Sequence, residues 1–556
     1  WEHYIGCDGS PDPTVLQEIN TFMSLWREDP NEDIQFVMEK GKEVLNLIEK
    51  LQFLLLDTPP NEITEKERVQ YQGTILDLQD LLHQKYNIAT ERLLKTDNSM
   101  YEDNDSGNMQ VVIKDKNITL CIWANLKKNV RFKNYVFPEI RHGFGLPKSL
   151  AVSSIAVRIF HTHYDHVSPL WLQASSVKEI TDVNEKREEV TEKKSGIIDV
   201  SSQGICLVVI CSLAKLVILN TSEEEEEVTD ENLVDLWQFV PVGGVYYVDA
   251  LQLPPPAREV RSWRMVEVLE GGLEVYPYPP PESEDTEDAT HPPIEITLRL
   301  PDDALYFEDP VIARWDPAGQ QWRTDGISNP TYEKEERKVH FEMDAFYTIA
   351  LLQDVHLHMP YQGWELRPTG TDELLLIVTT AFAEVQIQVK EHQCMLAAVV
   401  VEEEKVLSPV TGKWMSPVHL TVLLKKAGIN IFPGEYSHKY VDVNKKVSGR
   451  RLFSFSAPAS LPSLQGKEHL KAETVEDENW SLYMFNGQRA QRLKITEASE
   501  AFSEELHDHS EFHSTLYHML KDFASNEAID KVKTAGFLFI DTVYQLLLAT
   551  RVLTYS

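Results

Sequence analysis

Between residues 301 and 368 lies Trp315-Asp316-Pro317-Ala318-Gly319-Gln320-Gln321-Trp322-Arg323-Thr324-Asp325-Gly326, two tryptophans flanking a Pro/Gly turn. Runs rich in β-branched and aromatic residues sit on both sides, at 311–315 before it and at 338–341 and 347–352 after it. Asp-Pro-Ala-Gly is turn chemistry, because proline presets φ and glycine accepts a left-handed backbone. The spacing predicts antiparallel hairpins of a β-sandwich whose aromatics supply buried area. The segment contains no nucleophile, general base or phosphate cradle, so it points to a structural or adaptor role.

A chain of 556 residues is long enough for about two to four domains. Its hydrophobic content of 42% and aromatic content of 9% suffice for packed cores rather than disorder. The formal net charge of −35 argues against nucleic acid as a partner, since duplex binding needs a basic face that displaces counterions. Cys7, Cys121, Cys206, Cys211 and Cys394 are odd in number and scattered, the usage of a reducing compartment rather than of a disulfide framework. The first residue is Trp1, with no Met and no leader, so a preceding segment is expected to be missing.

Six segments follow from patterning. Ile34, Val37, Met38, Leu45, Ile48, Gln52 and Leu55 recur at helical spacing from just after Asp29-Pro30 to Thr58-Pro59-Pro60. Thr64 and Glu67 then form a capping box ahead of the stripe Ile75, Leu78, Leu82, Ala89 and Leu93. Residues 1–107 are therefore expected as a helical hairpin. Residues 108–170 read as a β-rich module with strands at 117–125 and 153–160. Residues 171–235 read as an acidic linker, with five glutamates at 223–227 and an apolar run at 204–219. That run contains Lys215 and falls short of the roughly 20 apolar residues a membrane span needs. Residues 236–355 read as a β-sandwich module, 356–480 as a mixed β/α module with alternation over 374–389, and 481–556 as C-terminal helices. The latter carry one apolar stripe over 502–523 and a second of Phe537, Ile540, Tyr544 and Leu547. The expected class is α+β and multidomain.

Two constellations carry possible chemistry. His161, His163, Asp165 and His166 spell H-x-H-x-D-H after a strand, a spacing that can hold zinc and activate water in a hydrolase. The next histidine is His291, so the remaining ligands of such a site are missing, and a locally hydrogen-bonded loop is the competing reading. His509 and His513, four apart in an apolar stripe without an H-E-x-x-H glutamate, read as buried histidines. Val242-Gly243-Gly244-Val245 reads as a turn, and no nucleotide or nucleophile-elbow motif occurs. The second constellation is basic. Lys114, Lys116, Lys127, Lys128, Arg131, Lys133, Arg141 and Lys148 face only Asp115 and Glu139 within residues 114–148. They form either a solvated sheet face or a docking patch for an acidic partner.

Several blocks together resemble one family: residues 1–13, 161–167, Phe307-Glu308-Asp309-Pro310 with Arg314-Trp315-Asp316, 322–328, 359–368, and 489–494 through 511–518. The chain is similar to axonemal dynein intermediate chain 7, the cancer-susceptibility-candidate-1 family, nearly end to end, weakening between residues 171 and 231. The resemblance implies a non-catalytic subunit of an inner-arm axonemal dynein, without cofactor. Its implied partners are dynein heavy and intermediate chains and tubulin of the doublet microtubule, with neither nucleic acid nor membrane. Its implied place is the axoneme of motile cilia and sperm flagella, with a cytoplasmic assembly pool. Tubulin is acidic, so the eight basic residues are the expected contact.

Overall fold

The computed structural model describes residues 11–58, 63–95, 108–168, 230–253, 258–260, 263–265, 273–280, 291–370, 372–401, 410–434, 436–441, 483–485, 490–492, 536–552 and 555. The chain divides into two compact units, one of Trp1–Lys178 and Asp230–Gln353, the other of Glu179–Thr229 and Asp354–Ser556. The fold is α+β, with antiparallel sheets and, among the described residues, no barrel.

In the first unit the helices α1 (Leu16–Glu28), α2 (Ile34–Asp57) and α3 (Glu65–Lys95) lead into the sheets. Asp33 caps α2 by accepting from the Gln35 and Phe36 N–H groups, and the helix stops at Thr58 before the two prolines. The capping box forms as expected: Thr64 N–H donates to Glu67 Oε2 at 2.9 Å, and Glu67 N–H to Thr64 Oγ1 at 3.3 Å. These bonds from Thr64 hold the Glu67 carboxyl below its usual pKa. Among the described residues the helical segment has a helix ahead of the expected hairpin, because Ile19, Met23 and Trp26 give α1 a buried stripe of its own.

The strands are β1 (Met109–Lys114), β2 (Ile118–Ala124), β3 (Asn134–Val136), β4 (Gly143–Gly145), β5 (Ile155–Thr162) and β6 (Phe239–Gln252). A short helix, α4 (Lys148–Ala151), precedes β5. Then come β7 (Arg258–Val260), β8 (Trp263–Met265), β9 (Ile294–Arg299), β10 (Val311–Asp316), β11 (Gln321–Arg323), β12 (Ile327–Glu333), β13 (Lys338–Met343) and β14 (Thr348–Asp354). They form a seven-stranded sheet, β1-β2-β5-β6-β14-β10-β11, and a five-stranded sheet, β12-β13-β9-β4-β3. One face of the larger sheet packs under the helices through Val111, Leu120, Ile122 and Phe160. Its other face packs on the smaller sheet through Trp123, Val157, Ile159 and Val248 against Phe144, Ile296 and Phe341. The order of layers is helix, sheet, sheet. It explains why β2 and β5 are apolar without alternation: both faces are covered, and every residue of each strand is buried.

This topology corrects the expected separation of 108–170 from 236–355. β5 pairs with β6 over eight positions, from Ile155↔Gln252 to Thr162↔Val245, so the two segments share one sandwich. The tryptophan turn closes as expected, with Trp315 opposite Trp322 and their rings 5.2 Å apart. Its left-handed residue is Gln320 (φ 49), not Gly319. Gly319 answers a close approach instead, since a Cβ there would lie 2.8 Å from the Gln321 side chain and 2.9 Å from that of Asp316.

In the second unit β15 (Gly363–Gly370), β16 (Glu373–Thr379), β17 (Glu384–Lys390), β18 (Gln393–Val400) and β19 (Trp414–Met415) pair in chain order as a meander. The alternation over 374–389 becomes two strands around a turn at Thr380–Ala383. Helices α5 (Pro417–Lys426) and α6 (Phe537–Thr550) pack with β17 and β18. Among the described positions of α6, Thr542, Val543, Leu546 and Thr550 are buried, while Tyr544 and Leu547 of the expected stripe are half-buried. Short pairs β20 (Tyr483–Phe485) with β21 (Ala490–Arg492), and β7 with β8, complete the strands among the described residues. The run 204–219, the glutamates 223–227, the stripe 502–523 and His509 and His513 lie outside the described residues. Among the described residues no helix is long and apolar enough to cross a membrane.

Candidate functional site

The histidine motif continues β5, whose odd residues Ile155, Val157 and Ile159 face the sandwich while Arg158 and Phe160 face the helices. His161 keeps the odd parity. It is buried, donates Nε2–H to the Gly243 carbonyl at 2.7 Å, and stacks on Tyr246 and on His163 with centroids 3.9 and 4.3 Å apart. Burial first, and the neighbouring His163 second, push its pKa well below the usual imidazole range. His142 is also buried there, its Nδ1 accepting from the Arg299 N–H at 3.1 Å. Burial, with Arg299 next, lowers His142 to about 3.

Gly243 and Gly244 are not the expected turn but a kink inside β6, with φ of 75 and 94. A Cβ on Gly244 would fall 1.8 Å from the Thr162 carbonyl. Only glycine lets the two strands approach closely enough for His161 to reach the Gly243 carbonyl.

His166 takes the opposite face. Its Nε2 lies 2.7 Å from the Tyr247 hydroxyl, and its ring 5.7 Å from that of His83 on α3. Burial lowers the pKa of His166 and takes His83 to about 3. The Asp165 carboxylate is occupied locally, its Oδ1 accepting from the N–H groups of Val167 and Ser168 at 3.0 Å each. The sheet itself therefore stands between His161 with His163 and His166, and the zinc-hydrolase constellation does not assemble. Among the described residues no group of three or more His, Cys, Asp or Glu is placed to hold a metal. The parity of residues 161 and 163 with 155, 157 and 159 was the signal for this in the chain.

Sequence patterning missed Arg158, a buried cation in the middle of an apolar strand. Its Nη2 lies 2.6 Å from Asp249 Oδ2 on β6, and its Nη1 donates to Asn87 Oδ1 on α3 at 2.7 Å. It ties the helical layer to two strands of the sheet.

The eight basic residues are all exposed but do not form one patch. Lys114 ends β1, Lys116 sits in the turn to β2, and Arg141 sits in the β3–β4 turn with φ 63. Lys114 lies near the histidine end, where its charge acts on His142, His161 and Asp302. Lys127, Lys128, Arg131 and Lys133 occupy the β2–β3 loop, at the far end of β2, about 20 Å away at the rise of a strand.

That loop is shaped by its asparagines. Asn125 donates Nδ2–H to the Ala151 and Ser153 carbonyls at 2.8 and 3.0 Å, joining the loop to α4, where Lys148 lies. Asn125 Oδ1 accepts from Lys128 N–H at 3.1 Å, and Asn129 Oδ1 from Arg131 N–H at 2.9 Å. Lys127, Lys128, Arg131, Lys133 and Lys148 thus form a five-cation group. None of them has an ion-pair partner among the described residues. Val130 and Val136 in the same stretch are exposed at 61% and 49%.

A family model described as the cancer susceptibility candidate 1 N-terminus matches residues 1–131, which end inside this loop. The chain is similar to dynein axonemal intermediate chain 7 of Homo sapiens, 45% identical over 623 residues that cover 100% of this chain and 87% of that protein. The Danio rerio counterpart is 42% identical over 638 residues, covering 100% and 86%. A Ciona intestinalis homolog is 33% identical over 611 residues, covering 93% and 82%.

Proposed function

This chain belongs to the dynein axonemal intermediate chain 7 family, and we propose that it is a non-catalytic adaptor of an inner-arm axonemal dynein. In this reading it ties dynein heavy and intermediate chains together and seats the assembly on tubulin of the doublet microtubule, so supporting movement of cilia and sperm flagella. A cytoplasmic pool would serve assembly. The observation that carries the reading is similarity to axonemal dynein intermediate chains over the whole chain. The enclosure of the polar residues of β5 supports it, because their hydrogen bonds are made within the fold.

A contact with acidic tubulin must overcome a net charge of −35, which only a local cationic surface does. The five-cation group of Lys127, Lys128, Arg131, Lys133 and Lys148 is that surface, with Lys114, Lys116 and Arg141 a separate, smaller one. Affinity purification of the tagged chain from motile ciliated cells, read by mass spectrometry, tests the proposal. Recovery of axonemal dynein heavy and intermediate chains with tubulin is the expected result. Recovery of none of them overturns it.

A further inference from the structure

β3 is an outer strand of the five-stranded sheet. Leu146 N–H bonds to the Lys133 carbonyl at 3.0 Å, and Phe137 N–H to the His142 carbonyl at 2.8 Å. With Tyr135 opposite Phe144, residues 133, 135 and 137 are the ones hydrogen-bonded to β4. The alternation of an antiparallel ladder then turns the backbone N–H and C=O of Asn134 and Val136 outward. Both residues are exposed, and those outward groups bond to no other described residue.

The inner face of this edge is packed. Tyr135 bonds to Gln110, and its ring packs edge-on to Phe137 at 5.1 Å. Trp123, stacked on Phe132 at 4.7 Å, anchors the loop just before it. Across the ladder, Gly143 is held small, because a Cβ there would lie 2.9 Å from Val136 Cγ2. An open pair of backbone donors and acceptors is thus presented on a packed frame, between exposed Val130 and Val136 and beside Lys127, Lys128, Arg131 and Lys133.

We propose that the open edge of β3 and the β2–β3 loop together dock an extended, acidic segment of a partner protein, which adds a strand to the smaller sheet. Backbone bonds to Asn134 and Val136 set its register, and its carboxylates meet the loop cations. A second copy of this chain is disfavoured as occupant, since pairing β3 with β3 would set the same cations against each other. The inference deepens the proposed function and rests on its assignment of the loop as a partner contact.

The probe is a fluorescein-labelled decapeptide of alternating glutamate and valine, titrated against the full chain by anisotropy. A peptide of the same sequence with every backbone amide N-methylated keeps its charge and loses the donors of both hydrogen-bonding edges. Losing two backbone bonds of about 0.5–1.5 kcal/mol each predicts roughly tenfold weaker binding. Val136→Pro, which removes one outward donor, also weakens binding, and the K127E/K128E/R131E/K133E variant abolishes it. Equal affinity for the two peptides overturns strand addition, as does binding that survives charge reversal or no binding of the parent peptide. Because the probe contains no dynein or tubulin, peptide binding without recovery of dynein chains from cells would overturn the proposed function alone.

Discussion

β5 with its histidine continuation and the β2–β3 loop begin at opposite ends of the same strand pairing and use their polar residues in opposite ways. On β5, Arg158, His161 and, beyond the strand, Asp165 and His166 make their bonds within the fold. On the loop, asparagine side chains hold the backbone while four cations and Val130 stay exposed. The residue types most suggestive of catalysis thus maintain packing, while the blander basic residues of the loop stay exposed. Metal-ligand spacing along a chain means little when a sheet separates alternate residues.

If that contrast is right, changes on β5 should reduce stability, and changes on the loop should reduce binding. The largest loss is expected at Arg158. Arg158→Met leaves Asp249 without its buried partner and should cost about 3–5 kcal/mol in urea unfolding. Adding Asp249→Leu should recover part of that loss, because the stranded charge is the penalty; no recovery would show that packing of the guanidinium dominates. His161→Ala should come next, at about 2–4 kcal/mol, from a cavity beside Tyr246 and an unpaired Gly243 carbonyl. Bound zinc measured by mass spectrometry should be negligible before and after this change, and stoichiometric zinc would restore the hydrolase reading.

Acid should act on the same side of the comparison. His83 and His142 have folded pKa values of about 3, below the ordinary value near 6.5 of an unfolded chain. Their contribution is complete above that value and is lost as pH falls below it, since only the unfolded state takes up protons there. Between pH 6.5 and 5.5 the pair should remove about 2 kcal/mol, a drop that thermal melts can read. A flat melting temperature over that window would mean that these imidazoles are not enclosed. The smallest stability change belongs to the loop. K127E/K128E/R131E/K133E should stay within about 0.5 kcal/mol of the parent chain, yet reduce tubulin and dynein recovery from cells. Unchanged recovery would remove the loop from the proposed contact.

Local features of the fold were readable in the chain. The span of α2, the Thr64–Glu67 capping box, the Trp315–Trp322 hairpin and the alternation on both sides of Thr380 all depend on neighbours within a few residues. The candidate site was readable only as composition. Eight basic residues within 114–148 were evident, but their division into two groups was not, because it follows from where β2 runs between them. Gly319 was a plausible left-handed residue, and what separates it from Gln320 is loop geometry rather than residue preference.

Periodicity, caps and turn residues by themselves determined α2, α3, the tryptophan hairpin and the α+β class of this protein, and its motif blocks pointed to the family, because each is written in short stretches of side chains. Tertiary structure alone decided that β5 pairs with β6 across more than 70 residues, which merges two expected modules into one sandwich. It also decided that His161 and His166 face different layers, and that β3 ends its sheet with two residues' backbone groups turned outward. The physical reason is that strand pairing is non-local: which hydrogen bonds close, and which face is buried, depend on a partner that the strand's own residues do not name.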